Sequence, residues 1–171
     1  MPENPRAVRE HREHAPLGLR VAVITISDTK DEANDESGRV LRVGVEGAGH
    51  QVVYYGIVRD EIAKIRGAME TAIRLGVDAV IMSGGTGAAR RDVTVEAIAP
   101  LLEKTLDGFG DLFRLLSFQK IGSAAMLSRA VAGVHRGAAV FCLPGSPDAV
   151  TVAWEELIRP ELPHLVGLLR K

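Results

Sequence analysis

Asp78-Ala79-Val80-Ile81-Met82-Ser83-Gly84-Gly85-Thr86-Gly87-Ala88-Ala89-Arg90-Arg91-Asp92-Val93-Thr94 reads as a strand, a glycine-rich turn and the start of a helix. Residues 78–82 form an apolar, strand-like run, and 94–102 are helix-like. A glycine-rich turn between strand and helix bares backbone N–H groups that can hold an anion. Arg90, Arg91 and Asp92 follow on the same loop. They add phosphate-pairing guanidinium groups and a carboxylate suited to a metal ion. Glycines alone would fit a tight turn that needs only positive φ. Thr86, Arg91, Asp92 and Thr94 beside them favour an anion site. The loop lacks the Lys-Ser/Thr ending of a P-loop and does not read G-x-G-x-x-G. Taken alone it points to phosphate or another polar ligand, and no further.

Working outward, the stretch before this loop repeats one pattern. Leu19–Ile26 reads as a buried strand, followed by a polar loop through Ser27-Asp28-Thr29 to Ser37. Val40, Leu41, Gly44, Val45 and Ala48 then mark one face of a helix that Gly49 ends. His50–Val58 is a second strand, Asp60 can cap the next helix, and Ile62, Ile65, Met69, Ala72 and Ile73 stripe it up to Gly76. The βαβαβ order predicts an α/β fold of three layers, α/β/α, with a mostly parallel sheet covered by helices on both faces. Ligands of such sheets bind beyond the carboxyl ends of the strands. Ser27–Ser37, Arg59–Asp60 and Ser83–Asp92 therefore fall on one rim.

Downstream, helices are expected from Thr94 to about Glu103 and from Gly108 to Ser117. Ser128–Val134 and Ala138–Leu143 predict a small C-terminal β-hairpin turning at His135-Arg136-Gly137. Ser146, Pro147 and Asp148 fit the cap, first position and first turn of another helix. Pro160 is expected to break or kink it.

The chain has 171 residues, 46% of them hydrophobic and 25% charged, with a net charge of −1. These values predict one domain over 17–171, preceded by a flexible tail over 1–16. The near-zero charge offers no global field for nucleic acid or acidic membranes. Aromatics at 4% argue against a base-stacking platform. No run approaches a membrane span or a signal peptide, so a cytoplasmic protein is expected. Cys142, the only cysteine, lies in an apolar run and reads as an inert buried thiol. His11 and His14 could bind metal, but a solvated tail explains them more simply.

Two carboxylates, Asp60 and Asp92, reaching a phosphate-lined rim would suit Mg²⁺, which takes one or two carboxylates plus substrate phosphates. They could instead help deprotonate an attacking group, and both also fit plain helix caps. Arg91 can pair with phosphate. Ser117, Ser128 and Arg129 are second-rank candidates, as is the Pro144–Pro147 turn, since caps and turn bonds explain them equally. No G-x-S-x-G elbow and no Cys/His cluster is present in the sequence.

The ordered phrases of the chain resemble the molybdenum-cofactor biosynthesis family of MogA and MoaB type, nearest to MoaB. The phrases are Thr25-Ile26-Ser27-Asp28, Asp35-Glu36-Ser37-Gly38, Val58-Arg59-Asp60-Glu61, Ser83-Gly84-Gly85-Thr86-Gly87, Arg91-Asp92-Val93-Thr94-Val95-Glu96-Ala97, Gly108-Phe109-Gly110, Phe113-Arg114 with Ser117, Met126-Leu127-Ser128-Arg129 and Leu143-Pro144-Gly145-Ser146-Pro147. The likeness spans about residues 19–165. The chain departs from the pattern at Val95, where proline is frequent, and at Asp111, where glutamate is frequent. The resemblance implies a molybdopterin-binding domain forming a homo-oligomer, a trimer or hexamer. It implies adenylyl transfer from Mg-ATP to molybdopterin with release of pyrophosphate, and hand-over of the product to a molybdenum-inserting enzyme. Asp60 and Asp92 would be its catalytic and Mg²⁺-holding aspartates. Ser27, Asp28, Asp35, Ser37, Gly38, Ser83, Gly84, Gly85, Thr86, Gly87, Arg91, Thr94 and Glu96 would bind substrate or nucleotide. So would Ser117, Ser128, Arg129, Pro144, Gly145 and Ser146. The alternative is a non-catalytic molybdopterin carrier or scaffold. A weaker one is a competence-damage-type protein acting on another nucleotide, from which Arg91-Asp92-Val93-Thr94 sets the chain apart.

Overall fold

In β1 (Arg20–Ile26) every residue after Arg20 is buried, so side chains alternating to the two faces must each meet a covering layer. They do. Val21 and Val23 belong to one apolar cluster and Ala22, Ile24 and Ile26 to another. The computed structural model describes residues 16–171. The proposed tail, with His11 and His14, lies outside the described residues except for its last position.

The sheet has six strands in the order β2-β1-β3-β6-β5-β4. β2 is Gln51–Val58, β3 Ala79–Ser83, β4 Lys104–Thr105, β5 Val131–His135 and β6 Ala138–Leu143. β2, β1, β3 and β6 run parallel, and β5 and β4 add an antiparallel edge. The expected hairpin therefore exists, but its second strand is an interior member of the parallel sheet. Helices α1 (Glu36–Gly47), α4 (Asp107–Ile121), α5 (Pro147–Val152) and α6 (Arg159–Leu169) cover one face through Leu41, Val45, Phe113, Val150, Leu162 and Val166. α2 (Ile62–Arg74) and α3 (Thr94–Ile98) cover the other through Ile65, Met69, Ala72, Ala97 and Ile98. Each fully buried aliphatic side chain in these layers stabilises the fold by roughly 1.5–3 kcal/mol.

Three local expectations change. The helix from Thr94 ends at Ile98 and passes through a 3₁₀ turn, Ala99–Leu101, into β4, because Pro100 has no N–H with which to continue the ladder. α4 runs to Ile121, four residues beyond Ser117. Pro160 does not break its helix. A π turn over Ala153–Ile158 widens the backbone just before it, and the chain continues helically through Pro160 and Pro163. A π turn relieves the clash that a proline ring makes with the preceding turn.

Candidate functional site

The registers Ile26↔Val58, Thr25↔Ser83 and Ser83↔Leu143 end four parallel strands at one level. β1 has β2 on one side and β3 on the other. Connections leaving β1 and β3 thus diverge and open a crevice at the sheet's switch point. The loops after β1, β2, β3 and β6 all emerge there.

The glycine loop is folded back onto itself. Gly84 N–H donates to Leu143 O (2.9 Å), Thr94 N–H to Gly85 O (2.9 Å) and the buried Thr94 hydroxyl to Gly84 O (2.8 Å). Gly84 and Gly85 hold φ values of +105° and +63°. A Cβ on Gly84 would collide with the Ile26 carbonyl, and one on Gly85 would stand 2.6 Å from Asp60 Oδ1. The backbone here needs glycine for both conformation and space.

Two adjoining pockets share Gly85, Asp92 and Gly145. The first, about 190 Å³, is charged and lined by Ile26, Ser27, Asp28, Thr29, Lys30, Asp60 and Arg91 besides the shared residues. The second, about 370 Å³, is more apolar, lined by Gly84, Thr86, Gly87, Phe113, Ser117, Ile121, Ala124, Leu127, Ser128, Pro144, Ser146 and Ala149 besides them. Asp60 and Asp92, thirty-two positions apart in the chain, thus meet at one cavity.

The carboxylates are not engaged as helix caps. The N-caps of α2 and α3 are Glu61 and Val93, neither with a side-chain cap bond. Asp92 Oδ2 accepts from Ala89 N–H at 3.0 Å. Asp60 Oδ1 is buried without a partner. Burial, then the charges of Asp28 and Asp92, push the Asp60 carboxyl above its ordinary range, while Arg91 opposes them. A carboxylate oxygen removed from water and left unpaired beside two like charges is a ready cation ligand. Among the described residues no group of three or more His, Cys, Asp or Glu could hold a metal ion unaided. A divalent cation at Asp60 and Asp92 would therefore draw further oxygens from a bound substrate, which is the habit of Mg²⁺. Ser128 Oγ, also buried and unpartnered, offers the second pocket a free hydroxyl.

Seven predicted residues line neither pocket. Asp35 caps α1 by accepting from Gly38 N–H (3.0 Å) and also accepts from the Thr25 (2.6 Å) and Tyr55 (2.8 Å) hydroxyls. Burial pushes its carboxyl up, but these donors and Lys30 outweigh it and hold the net value below the ordinary range. Gly38 packs against that carboxylate. Ser37 donates to Gly145 O at 2.7 Å, tying α1 to the rim. Ser83 and Thr94 are wholly buried under the glycine loop. Arg129 and Glu96 pair with each other behind it.

Of the pocket residues not among those expected from the sequence, Lys30 is the charged one. Lys30 reaches Ser37 Oγ (3.4 Å), Gly145 O (3.5 Å) and Asp35 Oδ1 (3.6 Å), putting a cation into the charged pocket. A lone lysine in the polar loop after β1 is its only signal.

Residues 22–164 match the family described as a probable molybdopterin binding domain. The molybdenum cofactor biosynthesis protein B of Halalkalibacterium halodurans is 48% identical over 167 residues, covering 96% of this chain and 98% of that protein. A crystal structure of a molybdenum cofactor biosynthesis protein B superposes with a TM-score of 0.88 at 45% identity, over 92% of this chain and 99% of that one. The tungsten cofactor synthesizing protein MoaB from Pyrococcus furiosus gives 0.83 at 40% identity, over 92% and 100%.

Proposed function

This chain belongs to the molybdenum cofactor biosynthesis family marked by the probable molybdopterin binding domain, and from that premise we propose that it binds molybdopterin and adenylylates it with Mg-ATP. The observation that carries the reading is the meeting of Asp60, Asp92, Arg91 and the glycine-loop backbone at a charged pocket that opens onto a second, less polar one.

The triphosphate of ATP would occupy the charged pocket. Arg91 and Lys30 offer it positive charge, and the turn at Gly85 offers backbone N–H groups. The pterin would occupy the second pocket against Phe113, with the Ser117 and Ser128 hydroxyls as polar contacts. Gly85, Asp92 and Gly145 border both, so the reacting groups meet beside Asp92. The terminal phosphate of molybdopterin attacks the α-phosphorus of ATP. A new P–O bond forms there, the bond from that phosphorus to the bridging β-oxygen breaks, and pyrophosphate leaves. Such transfers need alignment and charge neutralisation rather than a covalent nucleophile. Mg²⁺ bound through Asp60 and Asp92 would supply part of that neutralisation. Cys142, wholly buried with its thiol pushed up to about 12, takes no part.

Residues 17–171 are proposed to act as one unit within a homo-oligomer, a trimer or hexamer, in the cytoplasm, passing product to a molybdenum-inserting enzyme. No helix of the described residues is long and apolar enough to cross a membrane. Incubating the protein with molybdopterin, ATP and Mg²⁺ should release pyrophosphate, and Asp92→Asn should abolish it with pterin binding retained. A folded protein that binds molybdopterin but releases none would favour the carrier reading.

A further inference from the structure

Arg129 sits behind the glycine loop, with Thr86, Gly87 and Asp92 between it and the pockets, and it lines neither pocket itself. Its Nε–H donates to the carbonyls of Thr86 and Gly87, both at 3.1 Å. Its Nη2 donates to Gly87 O at 2.7 Å and Asp92 O at 3.1 Å. Nη1 and Nη2 both reach the Glu96 carboxylate, the second at 3.2 Å. A guanidinium has five N–H donors and accepts nothing. Here Nε–H, both Nη2–H groups and one Nη1–H serve five protein oxygens between them, so most of the fork is committed to the loop and to Glu96.

The consequence for the loop follows from peptide geometry. Every described peptide bond is trans, so each carbonyl and the N–H of the next residue point in opposite directions. Turning the Thr86 and Gly87 carbonyls onto Arg129 turns the Gly87 and Ala88 N–H groups away from it. The Asp92 carbonyl is held from behind in the same grip, while its carboxylate is held by Ala89 N–H. One planar fork therefore fixes both ends of the segment 86–92. Glu96, on the first helical turn after the loop, orients that fork.

We infer that Arg129, oriented by Glu96, is a positioning residue that sets the direction of the loop's amide donors and the place of Asp92 without touching ligand. The inference deepens the nucleotide-transfer reading and rests on it. A lysine keeps the charge but cannot reproduce a planar fork on separated carbonyls. The test uses the full chain and Arg129→Lys, measured two ways: amide hydrogen exchange without ligand, and pyrophosphate release from molybdopterin and Mg-ATP. The variant should exchange faster over residues 86–93 while β1 and β3 keep their protection. Its kcat should fall on the order of 100-fold, the cost of misplacing reacting groups by about 1 Å. Glu96→Gln should move both readouts the same way by less, and it replaces Arg129→Lys in the comparison if that variant does not fold. Loop exchange equal to wild type overturns the inference, whatever happens to activity. A loosened loop with unchanged kcat overturns it too. If wild type releases no pyrophosphate, the functional reading fails, and the exchange data alone then decide whether Arg129 holds the loop.

Discussion

Replacing Gly85 by alanine should destabilise the protein through two separable effects. The backbone at Gly85 has φ +63°, and an L-residue in the left-handed region costs roughly 1–2 kcal/mol. The added methyl would also collide with Thr94 Oγ1 and lie 2.6 Å from Asp60 Oδ1. Thr94 cannot yield easily, being wholly buried with its hydroxyl bonded to Gly84 O. Forcing an atom into such a site costs about 1–3 kcal/mol. The sum is about 2–5 kcal/mol, reduced by roughly 0.4–1 kcal/mol because alanine also restricts the unfolded chain. The net loss is then about 1–4.6 kcal/mol, and since each kcal/mol shifts Tm by about 2–4 °C for a protein of this size, a fall of about 2–18 °C is expected. Gly137→Ala provides the control. Gly137 has φ +78°, and a methyl added there would meet nothing within 4 Å, so the contact cost is absent and the conformational cost of roughly 1–2 kcal/mol is offset by the same unfolded-chain gain as at Gly85. Thermal and urea unfolding of both variants isolates the contact contribution. Equal losses at the two glycines would refute the claim that the loop is packed tightly onto Asp60 and Thr94.

Two aspartates should show opposite pH behaviour. Asp60 has a raised folded pKa, so its contribution is present below the ordinary aspartate value and lost as pH rises through the folded value. Asp60→Asn should therefore be at least as stable as wild type at pH 7, with the difference closing in acid, and yet be inactive in pyrophosphate release. A less stable Asn variant at pH 7 would contradict this. Asp35 has a lowered folded pKa, so its contribution is present above the ordinary value and lost as pH falls through the folded one. Asp35→Ala removes a helix cap and strands the buried Thr25 hydroxyl and the half-buried Tyr55 hydroxyl, so chemical denaturation at pH 7 should show a loss of about 2–4 kcal/mol. Cys142 should resist a thiol reagent at pH 8 until the protein unfolds, and rapid labelling of the native state would refute its burial.

Much of the fold was legible because its signals are local. Apolar runs at 20–26, 51–58 and 79–83, helical stripes between them and glycines at 49 and 76 settle βαβαβ from neighbours in the chain. Parallel strands with short connections then put their carboxyl ends on one rim, which is why the separated Asp60 and Asp92 could be expected together. The path of the chain at Pro100 and Pro160 was harder to read. A proline states what the backbone cannot do there, and packing chooses between a turn into β4 and a π-widened helix.

The chain by itself determined which chemical groups the crevice could contain, since residue types and strand ends are properties of the sequence. Only the tertiary structure decided which of those groups face the cavity and which stand behind it. Asp35, Ser37, Thr94, Glu96 and Arg129 look as polar in the sequence as Asp28, Asp60 and Ser128 do. Their roles separate because a buried polar side chain must find partners, and the partners of Asp35 and Arg129 come from segments distant in the chain that only packing brings within 3 Å or so.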